Sequence, residues 1–330
     1  MEKRKKLKTR TNIRKVAILA GGWSGEREIS LRSGKKMLEV LQESWKYDVC
    51  LIDVEHNLLK FVKDIEAAAP DVLLLALHGV GGEDGLIQGV LEMLTLPYTH
   101  SDVLSSALAM DKVYSRIIFE HFGIKGPQWG VFSQEDLLAG SHDFRFPYVL
   151  KPRNEGSSLG VCIVKSQDIL ENALKNWAYC PDILVEEYIP GKDIMTGVYE
   201  GRSLGTIEIR PHSEFLNYDS KYTQGESEHI MPAEIPQDVY DWVGKQAERA
   251  YKALGCRGIA RLDFIYGRDE VYLLELNTQP GMTPTSFYPD IARHAGLSYF
   301  DVLEQMLESA LLSRPLTFTE NVCHNKIDLL

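Results

Sequence analysis

Residues 261–277 constrain this chain more than any other stretch. They read as two strands, Arg261–Tyr266 and Val271–Asn277, joined by Gly267-Arg268-Asp269-Glu270. Side chains alternate along a strand, so Arg261 and Asp263 share one face, and Glu275 and Asn277 share one face of the next strand. Pairing the strands about their turn sets Asp263 opposite Glu275. The intervening Leu262, Phe264, Leu274 and Leu276 are apolar, so the hairpin must lie against a core. Two carboxylates facing each other on such a hairpin repel unless a cation lies between them. Hard oxygen donors of this kind suit Mg²⁺, which also takes oxygens from nucleotide phosphates. Two such ions could neutralise a transferring phosphoryl group.

The rest of the chain is organised around α/β patterns. The apolar run Val16–Ala20 ends at Gly21-Gly22, and Ile29–Leu41 has helical amphipathicity. Tyr47–Val54 and Val72–Leu77 read as further strands, followed by a glycine-rich loop at 79–85 and a helix over Leu86–Leu94. Strand–helix–strand repeats predict a Rossmann-like parallel sheet in a first domain over 16–105. One helix is expected over Ala107–Phe122. Strands at Phe146–Pro152, Val161–Val164 and Ile183–Tyr188, with a helix at Gln167–Trp177, make a small α+β unit over 106–188. Over 189–330, the polar stretch 213–230 reads as a long loop of the lid kind. Helices are expected at Asp238–Leu254 and Asp301–Leu312. The fold class is therefore mixed, α/β followed by α+β.

Two common nucleotide signatures are missing. Gly34-Lys35-Lys36 and Gly191-Lys192-Asp193 fail the P-loop pattern, and the glycines at 79–85 miss the dinucleotide spacing. Lys151 instead ends a strand and leads into a loop with Gly156, Ser157, Ser158 and Gly160. Backbone N–H groups of such a loop can wrap phosphate oxygens, with Lys151 as a point charge; an ordinary hairpin turn has the same composition. Pro280-Gly281 predicts a tight turn that could present an N–H to an oxyanion. Glu26 sits where the first strand gives way to the first helix, the ligand edge of a parallel sheet. It could bind an ammonium group, or simply favour the helix N-terminus electrostatically; both readings stay open.

Charge and cysteine usage narrow the function classes. The net charge of −11 argues against non-specific nucleic-acid binding. Residues 1–15 are basic and read as a solvated leader or a basic arm. No stretch reads as a signal peptide or membrane span, so a cytoplasmic protein is expected. The five cysteines form no C-x-x-C pair, and the histidines have no zinc-hydrolase spacing.

Several blocks carry a family resemblance in their order. They are Leu19–Glu28 (LAGGWSGERE), Ala76–Gly85 (ALHGVGGEDG), Ala109–Lys112 (AMDK), Lys151–Gly160 (KPRNEGSSLG), Asp219–Tyr222 (DSKY), Arg261–Asp263 and Leu273–Thr283 (LLELNTQPGMT). The chain resembles the D-alanine–D-alanine ligases, members of the ATP-grasp superfamily. The resemblance implies a three-domain ATP-grasp architecture, with the third unit at 189–330 holding the metal site and lid. It implies ATP and two Mg²⁺ or Mn²⁺ as cofactors, D-alanine as substrate, an acyl-phosphate intermediate, and a dipeptide used in peptidoglycan. A homodimer is expected on the same ground.

The resemblance also implies residue roles. Lys112 and Lys151 would contact nucleotide phosphates, and Lys221 the transferred phosphate. Glu186 with Glu187, Tyr188 and Ile189 would hold adenine, and Asp193 the ribose. Asp263, Glu275 and Asn277 would hold the metals. Glu26, linked to Ser157 and Tyr222, would take the first substrate's ammonium, with His78 nearby. Arg261 and the Gly281 N–H would stabilise the oxyanion, and Ser286, beside Phe287, would take the second substrate's carboxylate. Trp23, Glu187, Asp193 and Phe287 depart from the family pattern. None removes a needed chemical group, and Trp23 and Phe287 bear on substrate preference.

Overall fold

The computed structural model describes residues 13–212 and 225–310. The expected lid residues Lys221 and Tyr222 lie outside the described residues, as do Cys323, most of the basic leader and the end of the helix expected at Asp301–Leu312. Three sheets organise the rest. In the first, β1 (Lys15–Gly21) lies between β2 (Asp48–Val54) and β3 (Val72–Leu75), both parallel to it. Helices α1 (Arg27–Glu43) and α2 (Leu58–Ala68) make the crossovers. The second helix was not read from the sequence. Lys15, assigned to the leader, instead opens β1. Its N–H and that of Arg14 donate to the Asp71 carboxylate.

After α3 (Leu86–Met93), the single helix expected over Ala107–Phe122 is two: α4 (Val103–Met110) and α5 (Lys112–His121). The break is Asp111, whose extended backbone (φ −84°, ψ 101°) places its carboxylate over the N–H groups of Val113 and Tyr114. An N-cap is therefore spent in mid-pattern, which hydrophobic periodicity does not register.

The second sheet is antiparallel, in the order β4 (Trp129–Phe132), β7 (Ile183–Glu187), β5 (Tyr148–Pro152), β6 (Cys162–Val164). Helices α6 (Gln134–Leu138) and α7 (Gln167–Lys175) cover one face. The third runs β10 (Ser227–Ile230), β9 (Arg202–Pro211), β8 (Lys192–Tyr199), β11 (Ile259–Gly267), β12 (Glu270–Asn277). Part of the stretch expected as a loop at 213–230 is thus strand β10, paired to β9 through Ser227–Pro211 and Glu228–Arg210. Helix α8 (Gln237–Ala253) backs this sheet.

The last two helices, α9 (Phe287–His294) and α10 (Tyr299–Ser309), return to the first sheet. Tyr288, Ala292, Val302 and Met306 join Val16, Ile18, Met37 and Leu74 in one buried cluster. The segment after β12 is thereby fixed against the end of β1. Among the described residues, no helix is long and apolar enough to cross a membrane.

Candidate active site

Glu26 occupies the N-cap position of α1, yet its side chain makes no cap hydrogen bond. The carboxylate is buried and turned across the loop, where the Ser157 hydroxyl donates to Oε1. Two glycines shape its slot. A Cβ on Gly79 would stand 2.6 Å from Glu26 Oε2, and one on Gly156 2.7 Å from the same atom. Ser24 braces the loop, donating to the His78 carbonyl at 2.7 Å and accepting from the Glu26 N–H at 3.1 Å. The carboxylate thus faces a small cavity, shared with Glu83, Arg261, Glu275 and Asn277, and is not spent on the helix end.

His78 is buried behind it, with Nδ1 3.6 Å from Glu83 Oε1 and Nε2 3.4 Å from Ser33 Oγ. Burial works to lower its pKa, but Glu83, by hydrogen bond and charge, and the Glu26 charge carry it above the ordinary histidine value. Glu83 also accepts the Gly79 N–H at 2.9 Å. Glu83 was missed in the sequence because it was absorbed into a glycine-rich loop.

The larger cleft lies between the second and third sheets. Lys112, Lys151, Glu186 to Ile189 and Asp193 all line it. Lys112 opens α5, stands 3.6 Å from Glu275 Oε2, and donates to the Glu155 carbonyl. Lys151 lies one residue before the end of β5 and pairs with Glu186 at 2.6 Å, while Arg116 holds the other Glu186 oxygen at 2.7 Å. Burial alone would raise the Glu186 pKa, but the charges of Arg116 and Lys151 hold it at about 2. That carboxylate, expected from the resemblance to meet adenine, is engaged by two cations. Glu187 pairs instead with Arg268 on the exposed turn. The loop after Lys151 takes its left-handed backbone at Ser157 (φ 51°), Ser158 (φ 59°) and Gly160 (φ 71°).

The hairpin does set Asp263 opposite Glu275, and Arg261 opposite Asn277. Turn geometry alone does not achieve this. Gly267 pairs with Glu270 and Phe264 with Leu273, a register that would continue to Asp263 opposite Leu274. A bulge between Asp263 and Phe264 shifts the ladder by one. Leu274 and Glu275 then both reach the cleft, while Leu273 and Leu276 both pack into the α8 core. An extra residue in one strand is how a sheet re-aims consecutive side chains.

Arg261 grips Asp263 with Nε to Oδ1 at 2.7 Å and a terminal nitrogen to Oδ2 at 3.0 Å. The Asn277 side-chain oxygen Oδ1 accepts the Gln279 N–H at 2.8 Å. Among the described residues, no three His, Cys, Asp or Glu converge as a ready metal cluster. The donor set still fits Mg²⁺, because that ion commonly takes one or two carboxylates and completes its shell with phosphate and water. Each Asp263 carboxylate oxygen also keeps a second lone pair beside its arginine bond.

The tight turn expected at Pro280-Gly281 falls later, where Ser286 N–H donates to the Thr283 carbonyl at 3.0 Å. The Asn277–Gln279 bond already bends the chain after β12, so Gly281 is not at a turn. Ser286 precedes α9, and its hydroxyl lies 2.8 Å from Thr283 Oγ1 and accepts the Thr283 N–H at 3.0 Å. Phe287 lies under Arg261, 5.8 Å from guanidinium carbon to ring centre. Trp23 stacks on His56 at 4.7 Å and lies where Gly81 leaves room.

Two antiparallel sheets closing on a cleft of lysines and carboxylates, behind a parallel-sheet domain, define the ATP-grasp class. The family model for the D-ala D-ala ligase C-terminus matches residues 118–308. A D-alanine–D-alanine ligase of Methylorubrum populi is 45% identical over 310 residues, covering 91% of this chain and 99% of its own. One from Gluconobacter oxydans is 45% identical over 302 residues, covering 90% and 99%. Among solved structures, the Bacillus anthracis D-alanine–D-alanine ligase complexed with ATP is 32% identical with a TM-score of 0.76, covering 91% of this chain and 97% of that one. The VanG D-Ala:D-Ser ligase of Enterococcus faecalis is 28% identical with a TM-score of 0.75, covering 89% and 98%. The chain belongs to the D-alanine–D-alanine ligase family.

Proposed function

We propose that this chain joins two D-alanines through a D-alanyl phosphate, consuming ATP, releasing ADP and phosphate, and supplying peptidoglycan synthesis. The observation that carries this reading is continuity. Lys112, Glu155 and Glu275 line both the small Glu26 cavity and the nucleotide cleft, so an amino acid held at Glu26 faces the phosphate end of the cleft.

The chemistry follows from that placement. Glu26 holds the ammonium of the first D-alanine, and a carboxylate oxygen of that D-alanine attacks the γ-phosphorus while ADP leaves. Lys112 and Lys151 offset phosphate charge, with Lys221 assigned to the transferred group. Asp263, Glu275 and Asn277 would hold Mg²⁺ or Mn²⁺, whose charge neutralises the phosphoryl oxygens when bound. The second amine then attacks the acyl carbon, and phosphate departs with the C–O electron pair. Arg261 and the Gly281 N–H are the donors for the oxyanion, where losing one donor costs on the order of 10²–10³ in rate. Ser157 and Tyr222 order the Glu26 end, His78 borders the first substrate, and Ser286 beside Phe287 receives the second carboxylate. Tyr188, Ile189 and Glu187 frame the base and Asp193 the ribose, with Glu186 holding Lys151. The units 16–105, 106–188 and 189–330 divide these tasks. A cytoplasmic homodimer, without nucleic-acid or membrane partners, completes the reading.

Phosphate release from ATP and Mg²⁺, measured with D-alanine and then L-alanine, tests it. Release with D-alanine alone, matched by D-alanyl-D-alanine, is the expected result. D-Serine as second substrate is the competing reading, favoured by the likeness to a D-Ala:D-Ser ligase fold. A mixed dipeptide formed in preference from equal D-alanine and D-serine would establish it.

A further inference from the structure

Arg116 is fully buried, yet it lies one helical turn after Lys112 on α5, so both project from one helix face. One of its terminal nitrogens donates to the Leu273 carbonyl on β12, and the other to Glu186 at 2.7 Å. Its Nε has no hydrogen-bond partner among the described residues. Gly126 makes the space, since a Cβ there would stand 2.0 Å from the guanidinium. A cation held so deep, with one donor unsatisfied, is expensive unless its charge is used.

We propose that Arg116 is a positioning residue for the nucleotide site, sharing the Glu186 carboxylate so that Lys151 keeps net positive charge toward the phosphates. Without Arg116, Lys151 and Glu186 would form a neutral buried pair. With it, two cations share one carboxylate, and the trio carries one positive charge at the wall of the cleft. Arg116 touches no substrate; it acts through Glu186. The depressed Glu186 pKa agrees with a carboxylate that stays ionised between them.

The inference rests on the ATP-using reading, and its test separates the two. Binding of Mg²⁺-ADP and of adenosine is measured by calorimetry without D-alanine, and the ratio of the two affinities is the readout. A purely structural role would weaken both ligands alike, whereas a charge role weakens only the one with phosphates. Arg116→Met is expected to lower the ratio roughly tenfold, with adenosine binding within about twofold of wild type. Arg116→Met/Glu186→Gln restores the single positive charge and is expected to recover the ratio. An unchanged ratio in Arg116→Met, or no recovery in the double variant, overturns the proposal. If Arg116→Met does not fold, Glu186→Gln decides: a raised ratio supports the proposal, and an equal or lower one overturns it. A wild-type chain that binds no ADP would sink the ligase reading itself, before any variant is compared.

Discussion

At the residue scale, the site turns on where one carboxylate points. From the sequence, Glu26 was equally a helix-end carboxylate and an ammonium ligand. The partner that separates these readings, Ser157, is 131 residues away and carries no local signal. The glycines do carry one, because Gly79 and Gly156 each leave a void filled by Glu26 Oε2. They differ in a useful way. Gly79 is left-handed (φ 70°), so alanine there also strains the backbone. Gly156 is outside that region, and Gly156→Ala would move only the carboxylate. Shifts of about 1 Å at a reacting centre can cost around a hundredfold in rate. Gly156→Ala is therefore expected to lower kcat/KM for D-alanine about a hundredfold and leave ADP affinity within about twofold. Steady-state kinetics with ADP calorimetry checks this, and an equal loss in both would place Gly156 in the phosphate loop instead.

At the element scale, the continuous apolar runs of β1 and β3 and the alternating β11–β12 hairpin were legible, and β8 was not. The β11–β12 hairpin alternates and was read with its ligand face. β8 was missed because both faces are buried: Ile194 and Val198 pack toward α8, and Met195 and Gly197 toward α9. Such strands have no period-two signal. The bulge was also invisible, since an apolar Leu274 suits either face. The α4–α5 break was hidden by apolar residues on both sides of Asp111. That aspartate caps α5, and its carboxylate also takes the Arg153 guanidinium at 2.8 Å. Asp111→Ala is expected to lower stability by about 1 kcal/mol through the lost cap. It should also weaken ADP binding, because Lys112 is the first residue of the helix it caps. Asp111→Asn keeps the cap acceptor and should recover most of the stability. Urea unfolding with unchanged m-values would verify the first effect, and equal midpoints in wild type and Asp111→Ala would count against the cap.

At the scale of the whole molecule, stability depends on two buried histidines with opposite tendencies. Burial, aided by the charges of His78 and Arg257, lowers His100 to about 3 from an ordinary 6.5. The unfolded chain therefore binds a proton below 6.5 that the folded chain refuses, and stability is lost as pH falls from 6.5 toward 3, by about 1.4 kcal/mol per unit. His78 has the opposite sign. Its pKa is raised, so its contribution is present below 6.5 and is lost as pH rises through the folded value. Glu186, lowered from 4.5 to about 2, adds a second acid loss that begins only below 4.5. Stability should accordingly peak near pH 6.5, fall on the alkaline side, and fall more steeply below 4.5 than between 4.5 and 6.5. His100 has a left-handed backbone (φ 70°), a conformation that asparagine tolerates better than most residues. His100→Asn is therefore expected to flatten the limb between 6.5 and 4.5 while leaving the Glu186 limb in place. Urea midpoints at intervals from pH 3 to 8 would resolve both limbs. A wild-type profile still rising toward pH 8 would mean that His78 is held neutral, and that Glu83 fails to outweigh its burial.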